Sequence, residues 1–156
     1  MTPQVPMTRE AVLATALQAH GRIAIVGGPR SGKTTLAQLV IDRPVIHTDM
    51  FRHLPWGDVP GTIIRACAVQ PRFVVEGVQI ARALRAGLQV DAIIYLDDPK
   101  AELTKGQMAM QKAIATVFNE WRACHREVRV VSPDIAPGEN AAGEIAAGEI
   151  ATGETP

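Results

Sequence analysis

Between residues 22 and 40 the chain changes character twice in a way that few folds accommodate. The β-rich run Arg22-Ile-Ala-Ile-Val-Gly27 gives way to Gly27-Gly28-Pro29-Arg30-Ser31-Gly32-Lys33-Thr34. Apolar residues then return at helical spacing as Leu36, Leu39 and Val40. A buried strand that runs through a glycine-rich turn straight into a helix is the opening of a βαβ unit, and such units build parallel sheets. The turn fits G-x-x-x-x-G-K-[ST] at every position. Glycines let the backbone turn several N–H groups inward, the following helix adds its positive end, and a lysine at this place reaches the terminal phosphates of a nucleotide. The next hydroxyl, on Thr34, suits Mg²⁺.

The same alternation continues downstream. Thr8 is positioned to cap a first helix to about Gln18, with Val12, Leu13 and Leu17 on its apolar side. After a helix from Lys33 to about Ile41 that buries Leu36, Leu39 and Val40, further strands are expected over 44–48, 72–77, 91–96 and 127–131. Helices are expected over 60–70 and 78–86. A long helix to about Ala123 should start with Asp98 as its cap and Pro99 in its first position. The reading is an α/β domain over residues 1–135, with five parallel strands and helices on both faces of the sheet.

Residues 136–156 differ in kind. They repeat a pentad of the form Ala-x-Gly-Glu-x four times, a period that fits neither helix nor strand, with Ile145 and Ile150 as the only large apolar residues. Glycine in each pentad costs about 1 kcal/mol in a helix, so a disordered acidic tail is expected. Glu139, Glu144, Glu149 and Glu154 hide a modest basicity of the body. The whole chain is neutral, but residues 1–135 carry 16 basic against 12 acidic side chains. Six aromatic residues and no Lys/Arg run give no platform for a dedicated nucleic-acid binder. No apolar stretch approaches the ~20 residues of a membrane span, and Met1 to Glu10 lacks a signal pattern, so the cytoplasm is the expected compartment. Cys67 and Cys124 form neither a disulfide framework nor a zinc motif, and both are expected to be reduced and packed.

With the glycine-rich loop in place, the chain resembles the P-loop kinases, the group of adenylate kinase-like, uridine kinase-like and shikimate kinase-like enzymes. The likeness spans most of residues 20–131. Beyond the loop it rests on Val45-Ile-His-Thr-Asp49, Val74-Val-Glu-Gly77 and Ile94-Tyr-Leu-Asp97-Asp98-Pro99. It implies a P-loop three-layer sandwich in which Gly27, Gly28, Pro29, Arg30, Ser31, Gly32, Lys33, Thr34 and Thr35 hold ATP. Lys33 and Asp49 would be catalytic, the latter accepting the proton of the attacking hydroxyl, while Thr34 and Glu76 would serve Mg²⁺. The implied reaction moves the γ-phosphate to a small-molecule hydroxyl or phosphate acceptor, as in nucleoside and nucleotide kinases.

Residues 50–59, with Arg52, His53 and Trp56, are long and mixed enough to bind the acceptor, or else Phe51, Leu54 and Trp56 cap the core. His47 reads as a packed, hydrogen-bonded histidine rather than a base. The lid departs from the kinase pattern: no arginine occurs between Arg85 and Arg122. Lys105 and Lys112 are candidate lid cations in that stretch, Gly106 is a candidate break for a short moving lid, and Arg30, Arg122 or Arg126 are candidate substitutes for the lid charge. Base binding by Ser132-Pro133-Asp134 is expected by analogy. A non-catalytic ATP-binding module with a degenerate lid is the rival reading. A GTPase is weaker: Asp58-Val-Pro-Gly61 fits D-x-x-G without a preceding strand, and no N-K-x-D follows.

Overall fold

The computed structural model describes residues 8–133. The pentad tail and Asp134 lie outside the described residues. Five strands form one sheet: β1 (Arg22–Gly27), β2 (Val45–His47), β3 (Phe73–Gly77), β4 (Ala92–Leu96) and β5 (Arg129–Val131). All pairings are parallel, in the order β2-β3-β1-β4-β5. The helices are α1 (Arg9–Ala19), α2 (Lys33–Ala37), α3 (Val59–Ala68), α4 (Ile80–Arg85) and α5 (Lys105–Ala123). The α/β class expected from the alternation is therefore observed.

Strand β1 lies in the middle because it can bury every side chain after Arg22. Ile23 to Val26 are fully enclosed, as are Val74 and Val75 of β3 and Ile93 of β4. Continuous apolar runs of this kind are what a parallel sheet selects. Successive side chains along a strand point in opposite directions, and they divide between two apolar clusters. Ile23, Ile25, Val74, Ile94 and Leu96 join Val12, Leu13, Leu36, Ala37 and Val40 from the region of α1 and α2. Ala24, Val26, Val75, Ile93 and Tyr95 join Ile63, Cys67, Ile80, Leu84, Phe118 and Trp121 from α3, α4 and α5.

Polar bonds close the bottom of the sheet and hold α1 to it. Asp91 takes Arg22 N–H at 2.9 Å and Arg22 Nη2 at 2.7 Å, tying the start of β1 to the residue before β4. Thr8 caps α1 by accepting from Ala11 N–H. At the other end of α1, Arg43 donates to the carbonyls of Leu17, His20 and Gly21. Its guanidinium is buried, and it is charge-balanced by Asp42 at 2.8 Å.

Four sequence expectations need correction. Helix α2 stops at Ala37, and its last turn tightens through Leu39 N–H to Leu36 O and Val40 N–H to Ala37 O. That three-residue closure rotates Leu39 outward, so it is half-exposed while Leu36 and Val40 remain buried. Helix α5 does not start at Asp98 and Pro99. It starts at Lys105 behind Thr104, whose hydroxyl accepts from Gln107 N–H while the Gln107 side chain accepts from Thr104 N–H. This reciprocal cap closes two orphan donors, more than a lone aspartate offers. Gly106 sits inside the first turn of an unbroken helix and makes no lid hinge. Cys124 is exposed, and only Cys67 is packed. Among the described residues no helix is long and apolar enough to cross a membrane.

Candidate functional site

In a parallel sheet the carboxyl ends of the strands gather at one edge, and the loops leaving them are the natural ligand-binding positions. Here the turn after β1 meets the ends of β2 and β3 there. Gly27 and Gly28 are buried beneath neighbours that leave no room for side chains. A Cβ on Gly27 would come within 2.7 Å of Leu96 O, and one on Gly28 within 2.9 Å of the Gln111 side chain of α5. Arg30 adopts φ 60° and Gly32 φ 90°, so the chain coils back on itself before α2 begins. Gly32 caps α2 without a side chain, which leaves the first N–H groups of the helix to other partners.

Lys33 crosses this coil. Its Nζ donates to Gly28 O at 2.6 Å and to Ser31 Oγ at 3.2 Å, and both Lys33 and Ser31 are buried. Burial lowers the pKa of its ammonium from the ordinary 10.5, an effect that the Glu76 and Asp49 carboxylates oppose.

Register places Glu76 opposite Ile25 of β1 and His47 of β2. It is 2% exposed, yet it carries two polar partners: Thr34 Oγ1 donates to its Oε2 at 3.1 Å, and His47 Nδ1 lies 2.7 Å from the same oxygen. Thr34 and Glu76, 42 residues apart in sequence, thus meet at the loop. His47 is hydrogen-bonded as expected but is not packed, its side chain being 42% exposed, and its bond to Glu76 is a link that strand spacing alone did not reveal. A hydroxyl and a carboxylate are hard oxygen donors that suit Mg²⁺. Among the described residues no three His, Cys, Asp or Glu side chains gather as a metal-holding group.

Asp49 occupies the 3-10 turn Thr48–Phe51 that follows β2, exposed and close enough to Lys33 to act on its charge. Thr48 beside it is buried against Gly77, whose φ of 147° and absent side chain allow the close approach. Of the 50–59 segment, Phe51 and Leu54 pack on the core, whereas Arg52, His53 and Trp56 face outward. Trp56 is 63% exposed, and the Arg82 guanidinium stacks 3.9 Å from its ring centre. Asp58 and Gly61 of the D-x-x-G match belong to the start of α3, not to a loop after a strand.

An open cleft of about 650 Å³ adjoins the outer side of the loop, lined among others by Arg9, Arg30, Thr35, Leu39 and Lys100. Sequence reading missed Arg9 and Lys100. The first lies in a helix ahead of the motif, and the second in a segment expected to be helical that instead bonds the loop through Lys100 N–H to Arg30 O at 2.7 Å. Arg122 does not approach the site. It donates to His125 O and Val128 O at the far end of α5, beside the amino end of β5, and Arg126 follows it there. Neither can supply lid charge to the loop.

No protein-family model matches this sequence. No curated protein matches it either.

Proposed function

We infer that the chain is a P-loop kinase of the adenylate kinase-like and uridine kinase-like group, moving the γ-phosphate of ATP to a small-molecule hydroxyl or phosphate acceptor. One observation carries the reading: Lys33 spans the glycine-rich coil to Gly28 O while the next residue, Thr34, bonds the buried Glu76 of the adjacent strand. A turn with a merely solvated lysine would need neither the buried cation nor the buried acid. The finer architecture of this reading is the three-layer sandwich, supported by the two apolar clusters that share alternate strand residues.

In this reading the N–H groups of residues 27–35 other than Pro29, which has none, and the Lys33 ammonium bind the phosphates, exchanging the internal lysine bonds for bonds to the nucleotide. Thr34 and Glu76 would hold Mg²⁺, which when bound neutralises phosphate charge. Asp49, exposed at the end of β2, would take the proton of the acceptor hydroxyl on its carboxylate. Arg52, His53, Trp56 and Arg82 flank that end and would contact the acceptor.

Calorimetry with Mg-ATP tests the reading. Lys33→Ala should abolish tight binding or lower turnover by about 10²- to 10³-fold, the usual loss when one preorganised cation is removed. Equal affinity of the variant and the parent would refute it. A second reading, a non-catalytic ATP-binding module, is favoured by one observation: α5 runs unbroken where a lid would move, and residues 86–121 contain no arginine. An acceptor screen with Asp49→Asn separates the two. Transfer lowered about 10²- to 10⁴-fold at unchanged ATP affinity supports the kinase, and absence of transfer in both proteins supports the module.

A further inference from the structure

Helix α1 precedes the motif strand and is held at its carboxyl end by Arg43, as described above. From its first residue a second arginine reaches the glycine-rich coil. Arg9 Nη1 donates to Ser31 O, and Arg9 Nη2 donates to Asp98 O at 3.2 Å. Its guanidinium lies 2.7 Å from the point where a Cβ on Gly32 would stand, so the absent side chain at Gly32 makes room for it. The partners belong to the two loops that leave β1 and β4, and Lys100 N–H to Arg30 O ties those loops a second time. Arg9, Arg30 and Lys100 all line the cleft beside Gly32 and Thr35, with Glu10 the one acid among the described lining residues. Lys100 Nζ also pairs with Asp98 Oδ2 at 3.7 Å, so three cations stand against two carboxylates and the described charges beside the loop are net positive.

We propose that Arg9 is a positioning residue of the nucleotide site: it pins the glycine-rich loop to the loop after β4 and, with Arg30 and Lys100, supplies the positive charge that an arginine-bearing lid would bring to the polyphosphate. This rests on the kinase reading above. A planar fork that bonds two carbonyls at once fixes the spacing of the two loops, which a lysine in its place could not do with a single point charge. The charge itself acts on a bound triphosphate through the cleft, whether or not the fork moves.

The test measures Mg-ATP and inorganic tripolyphosphate binding by calorimetry at low and at physiological salt, in the full chain and in Arg9→Gln, Arg9→Lys and Lys100→Gln. Arg9→Gln should weaken both probes about 10- to 50-fold, the size of one lost charge-assisted contact, and should flatten the salt dependence of binding. Arg9→Lys should keep the parental salt dependence and recover part of the affinity. Lys100→Gln, at an exposed position that does not endanger folding, should weaken both probes several-fold. Thermal melting of each variant separates lost binding from lost fold. Parental affinity in Arg9→Gln, or equal losses in Arg9→Gln and Arg9→Lys with unchanged salt dependence, would overturn the proposal while leaving the kinase reading intact. A parent chain that binds neither probe would overturn both.

Discussion

Replacing Gly77 by alanine should damage the fold at the point where it meets the candidate site. Gly77 ends β3 one residue after Glu76, at φ 147°, a region that L side chains rarely enter. Holding alanine there costs about 1–3 kcal/mol. The new methyl would also overlap Thr48 Oγ1 and stand 3.0 Å from Thr48 Cβ. Thr48 is 1% exposed, so its side chain cannot swing into solvent, and forcing a methyl into such packing adds about 1–3 kcal/mol. The two terms together reach about 2–6 kcal/mol, a large share of the ~5–15 kcal/mol that stabilises a typical domain. Urea unfolding followed by circular dichroism reads the change as a lower midpoint at unchanged slope. The cycle with Thr48→Ala isolates the steric part: the hydroxyl it removes has no hydrogen-bond partner among the described residues. The double variant should therefore be more stable than the sum of the single losses by about 1 kcal/mol or more. A Gly77→Ala protein within about 0.5 kcal/mol of the parent, or strictly additive losses, would refute this account.

Four further outcomes are expected. Lys33→Met should stabilise the chain at neutral pH by relieving a buried cation. Because the folded pKa of Lys33 is lowered, the parent regains stability between that value and 10.5, so the gap in melting temperature should narrow as pH rises through this window. Asp91→Asn should cost about 0.5–1 kcal/mol at neutral pH, the scale of a partly exposed pair. Its hydrogen bond with Arg22 lowers the folded pKa of Asp91 below 3.8, so in acid denaturation the difference is complete above 3.8 and vanishes below the folded value. Thr104→Ala removes the cap of α5 and should lower stability by about 1 kcal/mol in urea titrations, with helicity lost from its first turn. In thiol titration of the native protein at pH 8, Cys124 should react and Cys67 should not, since burial pushes Cys67 to about 11.

Sequence pattern carried the strands further than the helices. Arg22–Gly27 is bounded correctly because its enclosed part, Ile23 to Val26, is apolar throughout, as a buried parallel strand must be, between a partly exposed arginine and the first glycine of the loop. Thr34 and Lys33 were legible because the loop places them by local geometry. Glu76 became a partner of Thr34 only through the pairing of β1 with β3, a long-range fact for which the short run Val74-Val-Glu-Gly77 is a weak sign. The start of α5 was misread because Asp98-Pro99 imitates a helix entry, whereas Lys100 N–H is committed to Arg30 O in another loop. Leu39 shows the same limit on a smaller scale. Helical spacing assigns it to the core, and a single tightened turn sends it outward.

The two arginines that hold α1 have a consequence for how the domain breathes. An 11-residue helix is marginal by itself, and this one fully buries only Val12 and Leu13. Its attachment thus relies heavily on carbonyl bonds from Arg43 and on the reach of Arg9, contacts that water can replace at modest cost. Amide protons of α1 should therefore exchange through local opening well before those of β1 and β3. Each such opening withdraws Arg9 from Ser31 O and Asp98 O, so one of the two ties between the loops at the top of the sheet is let go by a fraying helix while Lys100 N–H to Arg30 O stays in place.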